Sequence, residues 1–214
     1  MSEIIEQGSD EWFRLRAGSF TGSRFVDLTA RNKKTGAKLK SFQDAVWDVV
    51  VERITGQPQD GVNSYSLQWG KDMEPFALEA YELATGNFVT KAAFIKHPIF
   101  PFAGCSPDGL IDGDGGLELK CPKDSAIHLA RWLDGVPEEY VPQVQGAMWV
   151  TGRDWWDFAS YDPRTRPKLR LMKVRVYRDE PFIKLIESSV LEAEEMAQEL
   201  MAKLDDIENM RKAA

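Results

Sequence analysis

The sequence predicts an α/β domain, a central mixed β-sheet flanked by helices, on three observations. Apolar residues recur at helical spacing in the segments up to Thr85; between Phe88 and Tyr177 the period drops to two in five stretches; and a long helical pattern closes the chain. No internal repeat or low-complexity linker interrupts the 214 residues, so residues 1–214 read as a single domain with one substantial core.

Taken in order, Ser9 is placed to cap a short helix through Arg16, and Thr21 or Ser23 a second one ending near Ala30. Arg31 to Lys40 is basic, carries a Thr35-Gly36 turn and reads as a loop. Ser41 and Asp44 form a capping-box pattern ahead of Val46, Trp47, Val50 and Ile54, and Gly56 and Pro58 close that helix. A further helix is expected from about Ser66 to Thr85, with Leu67, Met73, Ala77, Leu78, Tyr81 and Ala84 apolar, Gly86 as its stop, and a bend or restart at Pro75. Strands are expected at Phe88 to Lys96, Phe102 to Ile111, Leu117 to Cys121, Trp155 to Tyr161 and Leu169 to Tyr177. Helices at roughly Ser125 to Leu133 and Glu138 to Val150 separate the third strand from the fourth, and the last helix runs from about Pro181 to Met210.

With 43% hydrophobic and 29% charged residues the composition is that of a soluble globular protein, and no apolar run approaches the ~20 residues of a membrane helix. The start Met1-Ser2-Glu3-Ile4-Ile5-Glu6 is acidic and has no signal-peptide pattern, and two cysteines are too few for a disulfide framework. The expected compartment is the cytoplasm. A net charge of −7 argues against a surface that coats nucleic acid all over. The charge is divided, however: Arg14 to Lys40 holds eight Lys/Arg against one acid, and Glu187 to Ala214 eight acids against three Lys/Arg. Such a chain can turn a basic surface to phosphate. The same split also suits a basic loop in solvent with nothing bound.

The chemistry sits in one stretch. Asp112-Gly113-Asp114-Gly115-Gly116 is turn material between apolar runs, which makes a β-hairpin. Centring the turn on Gly113 sets Asp108 opposite Glu118. Opposed side chains in a ladder have Cβ atoms about 4.5–5.5 Å apart, and like charges there repel. A cation between them removes the conflict, and paired carboxylates are ligands for Mg²⁺. Alternation puts Lys120 on the face of Glu118, with Leu117, Leu119 and Cys121 on the other. Two acids and a lysine on one face suit phosphodiester hydrolysis, in which the lysine orients water and stabilises developing charge. An EF-hand register does not fit these aspartates. An ordinary surface hairpin stays open on these residues alone, because an acid followed by Glu-x-Lys is a common coincidence. His97 and His128 read as structural, Cys105 and Cys121 as small buried side chains on the two hairpin strands, and most of the seven tryptophans as core, with Trp12 and Trp69 allowed near DNA.

The order Ser106-Pro107-Asp108-Gly109 then Leu117-Glu118-Leu119-Lys120-Cys121-Pro122 resembles the PD-(D/E)xK nucleases, and more closely the phage lambda exonuclease branch, the YqaJ-type viral recombinases. The resemblance extends over nearly the whole chain. It includes Glu6-Gln7-Gly8 with Trp12 and Leu15-Arg16-Ala17-Gly18, then Thr21-Gly22-Ser23, and Trp69-Gly70-Lys71 with Glu74. Downstream it includes Pro142-Gln143-Val144-Gln145 with Met148-Trp149-Val150, and Tyr161-Asp162-Pro163-Arg164. It implies a PD-(D/E)xK restriction-endonuclease-like core. It also implies that Asp108 and Glu118 bind metal with the carbonyl of Leu119, that Lys120 is the catalytic lysine, that Glu74 acts near a second metal, and that Gln143 holds the site or its water. Arg16, Ser23 and Ser106 match positions associated with a terminal 5′-phosphate, and guanidinium plus hydroxyls is sound chemistry for that ligand.

The family likeness further implies two Mg²⁺ ions, with Mn²⁺ able to substitute, and 5′-to-3′ digestion of one strand of double-stranded DNA from its ends. The product is a 3′ single strand handed to a single-strand annealing protein in recombination, and the assembly is a homotrimeric ring with no membrane partner. The region from Ala30 to Lys40, where the family splits the duplex, does not align clearly, so the wedge residue stays open. Two other readings compete: an endonuclease on the same core, and a non-catalytic module that binds DNA ends.

Overall fold

A computed structural model describes residues 5–59 and 65–213. Residues 1–4 and the side chain of Leu67, expected on an apolar helix face, lie outside the described residues. The fold is α/β, with two sheets and helices on both sides. It opens with helix α1 (Asp10–Arg16), capped as expected by Ser9, whose hydroxyl accepts from the Trp12 amide. Strand β1 (Phe20–Thr21), a 3₁₀ turn (Gly22–Arg24) and helix α2 (Phe25–Thr29) follow. Neither Thr21 nor Ser23 caps α2; the two hydroxyls bond each other at 3.2 Å instead.

The segment from Arg31 to Lys40 is a loop cinched by an Arg31–Lys38 bridge, and the Asn32 side chain accepts from the Lys34 and Thr35 amides. Its basic residues are largely used on the fold itself. Arg31 donates to the carbonyls of Leu28 and Ala30 and to Ser189, Lys38 pairs with Glu192, and Lys40 pairs with Asp44. Arg24, counted above with the basic stretch, is buried against Glu52.

Helix α3 (Lys40–Thr55) starts after Leu39, which has no side chain able to cap; Ser41, the expected cap, lies inside the first turn with its hydroxyl engaged by Asp27, and the helix stops at left-handed Gly56. Its buried face is Phe42, Ala45, Val46, Val49 and Val50, while Trp47 and Ile54 are exposed. The core side is thus rotated from the one the spacing indicated. Trp149 and Trp156 are the only buried tryptophans of the seven. Helix α4 (Tyr65–Thr85) runs unbroken through Pro75 and does not restart there.

Two expected strands divide. Phe88 to Lys96 becomes β2 (Val89–Thr90) and β3 (Ile95–Lys96), and Phe102 to Ile111 becomes β4 (Ala103–Cys105) and β5 (Gly109–Ile111). The second break falls on Ser106-Pro107-Asp108, where proline cannot donate to a ladder. Cys105 therefore lies on β4 and not on the hairpin. Strand β6 (Gly115–Lys120) completes the hairpin, and Gly115 and Gly116 belong to the strand rather than the turn. A Cβ on Gly115 would lie 2.1 Å from the Trp155 ring, and one on Gly116 2.2 Å from the Trp156 ring, so both rings need glycine beneath them.

Helix α5 (Ser125–Asp134), a 3₁₀ turn (Glu138–Tyr140) and helix α6 (Val141–Thr151) cross over to β7 (Trp155–Tyr161), which pairs with β8 (Leu171–Tyr177) before the long helix α7 (Glu180–Ala213). The strand expected from Leu169 starts later because a 3₁₀ turn occupies Pro167–Leu169. The small sheet has the order β1-β4-β3 and the large one β2-β5-β6-β7-β8, with β6 and β7 parallel and the other large-sheet pairs antiparallel. Alternation along β7 divides the core: Trp156 and Phe158 face α2, α3, α6 and α7, whereas Ala159 and Tyr161 join Leu117, Leu119, Ala77 and Tyr81 under α4. Among the described residues no helix is long and apolar enough to cross a membrane.

Candidate active site

The hairpin register is the one read from the sequence. Gly109 pairs with Leu117, Leu110 with Gly116 and Ile111 with Gly115, so the next step outward sets Asp108 opposite Glu118. Asp108 stands just outside the ladder, where Pro107 has ended strand pairing, and its Oδ2 accepts from the Leu119 amide at 2.6 Å. Leu119 thus meets the site through its N–H. On the next inward-facing position of β6, the Lys120 ammonium donates to Glu118 Oε1. Leu117 and Leu119 are buried on the opposite face, as alternation requires.

Helix α6 brings the fourth member. Gln143, in its first turn after Pro142, donates from Nε2 to Glu118 Oε1 at 2.7 Å. Glu118 is 2% exposed, so its carboxylate depends on these two donors. Burial and the facing Glu118 charge push the Asp108 carboxyl up to about 8, against the opposing pull of Lys120 and the Leu119 amide. Burial by itself would lower the Lys120 pKa, but Glu118 and Asp108 outweigh it and hold the ammonium well above its ordinary value.

The donor set fits a hard divalent cation. Mg²⁺ commonly uses one or two carboxylates and fills its remaining positions with water and substrate phosphate. Asp108 and Glu118 supply that pair, and the raised Asp108 pKa expresses its burial and, after that, a repulsion by Glu118, both of which a cation would offset. Among the described residues no cluster of three or more His, Cys, Asp and Glu is assembled, as an all-protein cage would require. Glu74 on α4 is near enough for its charge to act on Asp108, and it accepts from the Lys91 ammonium at 2.8 Å. Nothing in the sequence spacing signals Lys91.

The expected phosphate residues are connected to this centre through the N-terminal segment. The Trp12 indole N–H is shared between the Ala93 carbonyl at 2.8 Å and Ser106 Oγ at 3.1 Å, and the Arg16 guanidinium lies 4.1 Å from the Trp12 ring centroid. Gln7 ties the same segment to the carbonyls of Ala92 and Pro107. Ser23 sits one residue beyond Gly22, which packs on Gln143. Arg16 and Ser106 are thus brought together through Trp12, whereas Ser23 is exposed and its hydroxyl bonds Thr21. A cleft of about 140 Å³ beside them is lined by Trp12, Arg16, Thr21 and Arg24.

Beneath it lies a pair that the sequence does not reveal. Arg24 donates to both oxygens of Glu52 at 3.0 and 2.5 Å, and Glu52 also accepts from the amides of Gly18 and Gln59. The pair locks the turn that follows Arg16. The histidines are structural, as expected: His97 Nδ1 accepts from the Ile99 and Phe100 amides, and His128 is held by Ser160 and the Leu169 carbonyl. Cys105 and Cys121 are free thiols, Cys105 fully packed and Cys121 less so.

Known proteins share this fold. The chain is 32% identical to an alkaline exonuclease, LHK-Exo, from Laribacter hongkongensis, with a TM-score of 0.86 over 96% of this chain and 100% of that one. A phage related exonuclease from Haemophilus somnus 129PT shares the fold at 17% identity, with a TM-score of 0.72 over 87% of this chain and 96% of that one. The uncharacterized protein YqaJ of Bacillus subtilis (strain 168) is 28% identical over 158 residues, which are 72% of this chain and 46% of that protein, so the match spans about half of the relative. The mixed sheets with flanking helices are those of alkaline exonucleases of the PD-(D/E)xK type. Residues 11–154, which hold the hairpin, Glu74, Gln143 and the Trp12–Ser106 contact, match the YqaJ-like viral recombinase domain, and the chain belongs to that family.

Proposed function

We propose that this chain is a Mg²⁺-dependent exonuclease that digests one strand of double-stranded DNA from its 5′ end and leaves a 3′ single-stranded overhang for recombination by strand annealing. The observation that carries the proposal is the convergence of Asp108, Glu118 and Lys120 on one hairpin face, with Gln143 delivered to the same carboxylate. Membership of the YqaJ-like family and full-length similarity to an alkaline exonuclease support it.

Asp108 and Glu118, with the Leu119 carbonyl, would hold the metal, and Glu74 would serve a second ion; Mn²⁺ is expected to replace Mg²⁺. The bound ion supplies polarisation of the phosphate and a lowered pKa for water. The chain's own part is positional. Gln143 keeps Glu118 oriented, Lys120 sets a positive charge where charge develops on phosphate, and Arg16, Ser23 and Ser106 hold a terminal 5′-phosphate.

The proposal extends to assembly and partner on the strength of the likeness to phage lambda exonuclease: a homotrimeric ring around DNA, passing its product to a single-strand annealing protein. The deciding assay uses linear duplex labelled at either end, with Mg²⁺ and with chelator, beside a covalently closed circle. Release of 5′ label first, only with metal and only from linear DNA, is the expected result. Cleavage of the closed circle would instead make the chain an endonuclease.

A further inference from the structure

We infer that Tyr140 is a positioning residue for Lys120: its ring face gives the lysine ammonium a second resting place beside the site when metal claims Glu118, and Arg131 fixes the ring. The inference rests on the reading of Lys120 as the catalytic lysine. Lys120 Nζ lies 4.9 Å from the Tyr140 ring centroid, within the range of a cation–π contact. Tyr140 ends the 3₁₀ turn that leads into α6, so the helix that delivers Gln143 also sets this ring.

The ring is held from behind by a buried scaffold. It packs on Phe158 with centroids 5.4 Å apart, and its hydroxyl accepts a long hydrogen bond of 3.4 Å from Arg131 NH2. The Arg131 guanidinium stands 5.4 Å from the same ring, and its NH1 donates to Ser160 Oγ at 3.1 Å. Ser160 is the ladder partner of Lys120 across the parallel β6–β7 pair, and its hydroxyl also bonds His128 Nδ1 at 2.9 Å. His128 Nε2 in turn meets the Leu169 carbonyl at 2.7 Å. Arg131 is 6% exposed, and its Nε has no hydrogen-bond partner among the described residues. The guanidinium is therefore placed for the ring and the two hydroxyls.

This scaffold matters because Lys120 has two partners with different fates. Its ion pair is with Glu118, a carboxylate that a metal would share and whose charge it would draw on. An ammonium on a flexible four-carbon stem, once released from Glu118, would spread over many rotamers. An aromatic face stays available to it whatever Glu118 binds.

The test reads the side chain directly as well as turnover. In the wild-type protein, with and without Mg²⁺ and with no DNA, the Lys120 Hε and ammonium proton signals are expected upfield of free lysine from the ring current of Tyr140. Tyr140→Phe keeps the shift and stays within about 3-fold of wild-type kcat, because the ring face remains. Tyr140→Leu loses the shift and lowers kcat by roughly 3- to 30-fold with KM for DNA ends unchanged. Unshifted Lys120 signals in the wild type overturn the inference, a result that stands even if Tyr140→Leu fails to fold. So does full kcat in a folded Tyr140→Leu. Full turnover by Lys120→Ala would overturn the catalytic reading beneath it, whereas an inactive Lys120→Ala beside an unimpaired Tyr140→Leu removes only the role of Tyr140.

Discussion

Gln143 Nε2 reaches Glu118 Oε1 at 2.7 Å across 25 positions of sequence, and it is the direct bond between α6 and the hairpin carboxylates. Lys120 donates to the same oxygen, leaving Oε2 of Glu118 outside both bonds. A neutral donor and a charged donor thus orient one carboxylate, and their removal has different consequences.

Gln143→Ala is expected to lower activity about 10- to 100-fold through loss of orientation, the usual scale for groups that support a ligand. Gln143→Glu should be worse, since it faces Glu118 with another carboxylate. Kinetics on end-labelled duplex check this, and equal activity of the two variants would remove Gln143 from the orienting role.

Asp108→Asn and Glu118→Gln should abolish hydrolysis and also the rise in Tm that Mg²⁺ gives the wild type. Lys120→Ala should keep that rise while losing about 10²–10⁴-fold in kcat. Parallel thermal melts and single-turnover assays separate the two classes of variant.

A duplex with a 5′-phosphate should be digested faster than its 5′-hydroxyl counterpart, and Arg16→Ala should narrow that gap more than it slows the hydroxyl end. Identical native rates on both ends would dismiss the clamp formed by Arg16, Ser23 and Ser106.

Glu52 supplies an acid-sensitive part of the stability. Burial would raise its pKa, but Arg24 and the amides of Gln59 and Gly18 prevail and hold it below the ordinary value of 4.5. Its stabilisation is therefore present in full above pH 4.5 and is lost as the pH falls through the lowered folded value. Glu52→Gln removes the carboxylate to which buried Arg24 is bound, a cost of about 3–5 kcal/mol near neutrality. Urea melts across pH 7 to 3 should show the variant's deficit shrinking towards the acid end; a deficit independent of pH would contradict the assignment.

Gly116→Ala should destabilise the fold by about 1–3 kcal/mol, because its methyl carbon would stand 2.2 Å from the Trp156 ring. Equilibrium unfolding measures this, and Gly113→Ala, at a left-handed turn position (φ 83°) with open space around it, isolates backbone strain from collision.

The hairpin was legible because its information is local: a glycine turn fixes register, register fixes facing pairs, and alternation fixes the shared face of Glu118 and Lys120. Strand ends at Trp155 and Tyr161 were equally readable from bulky alternating residues. The orientation of α3 was not, since Trp47 and Val50 have similar apolar character and only packing by α2 and α7 decides which turns inward. The breaks at Phe88 to Lys96 and Phe102 to Ile111 escaped because strands of two or three residues carry almost no periodicity. The contacts of Arg24 with Glu52, Lys91 with Glu74 and Arg131 with Tyr140 join distant elements, so no spacing rule reports them.

The parallel pairing of β6 with β7 bears on the chain's synthesis. The β5–β6 hairpin can close on its own, but β7 lies a full helical crossover downstream, so β6 is an open edge for as long as residues 155–161 are unmade. An uncovered edge recruits other strands, and charges on its inward face discourage them. Glu118 and Lys120 occupy that face. The acid and the ammonium of the candidate site thus sit on the strand whose second edge waits for the crossover, where charge disfavours pairing with an apolar strand.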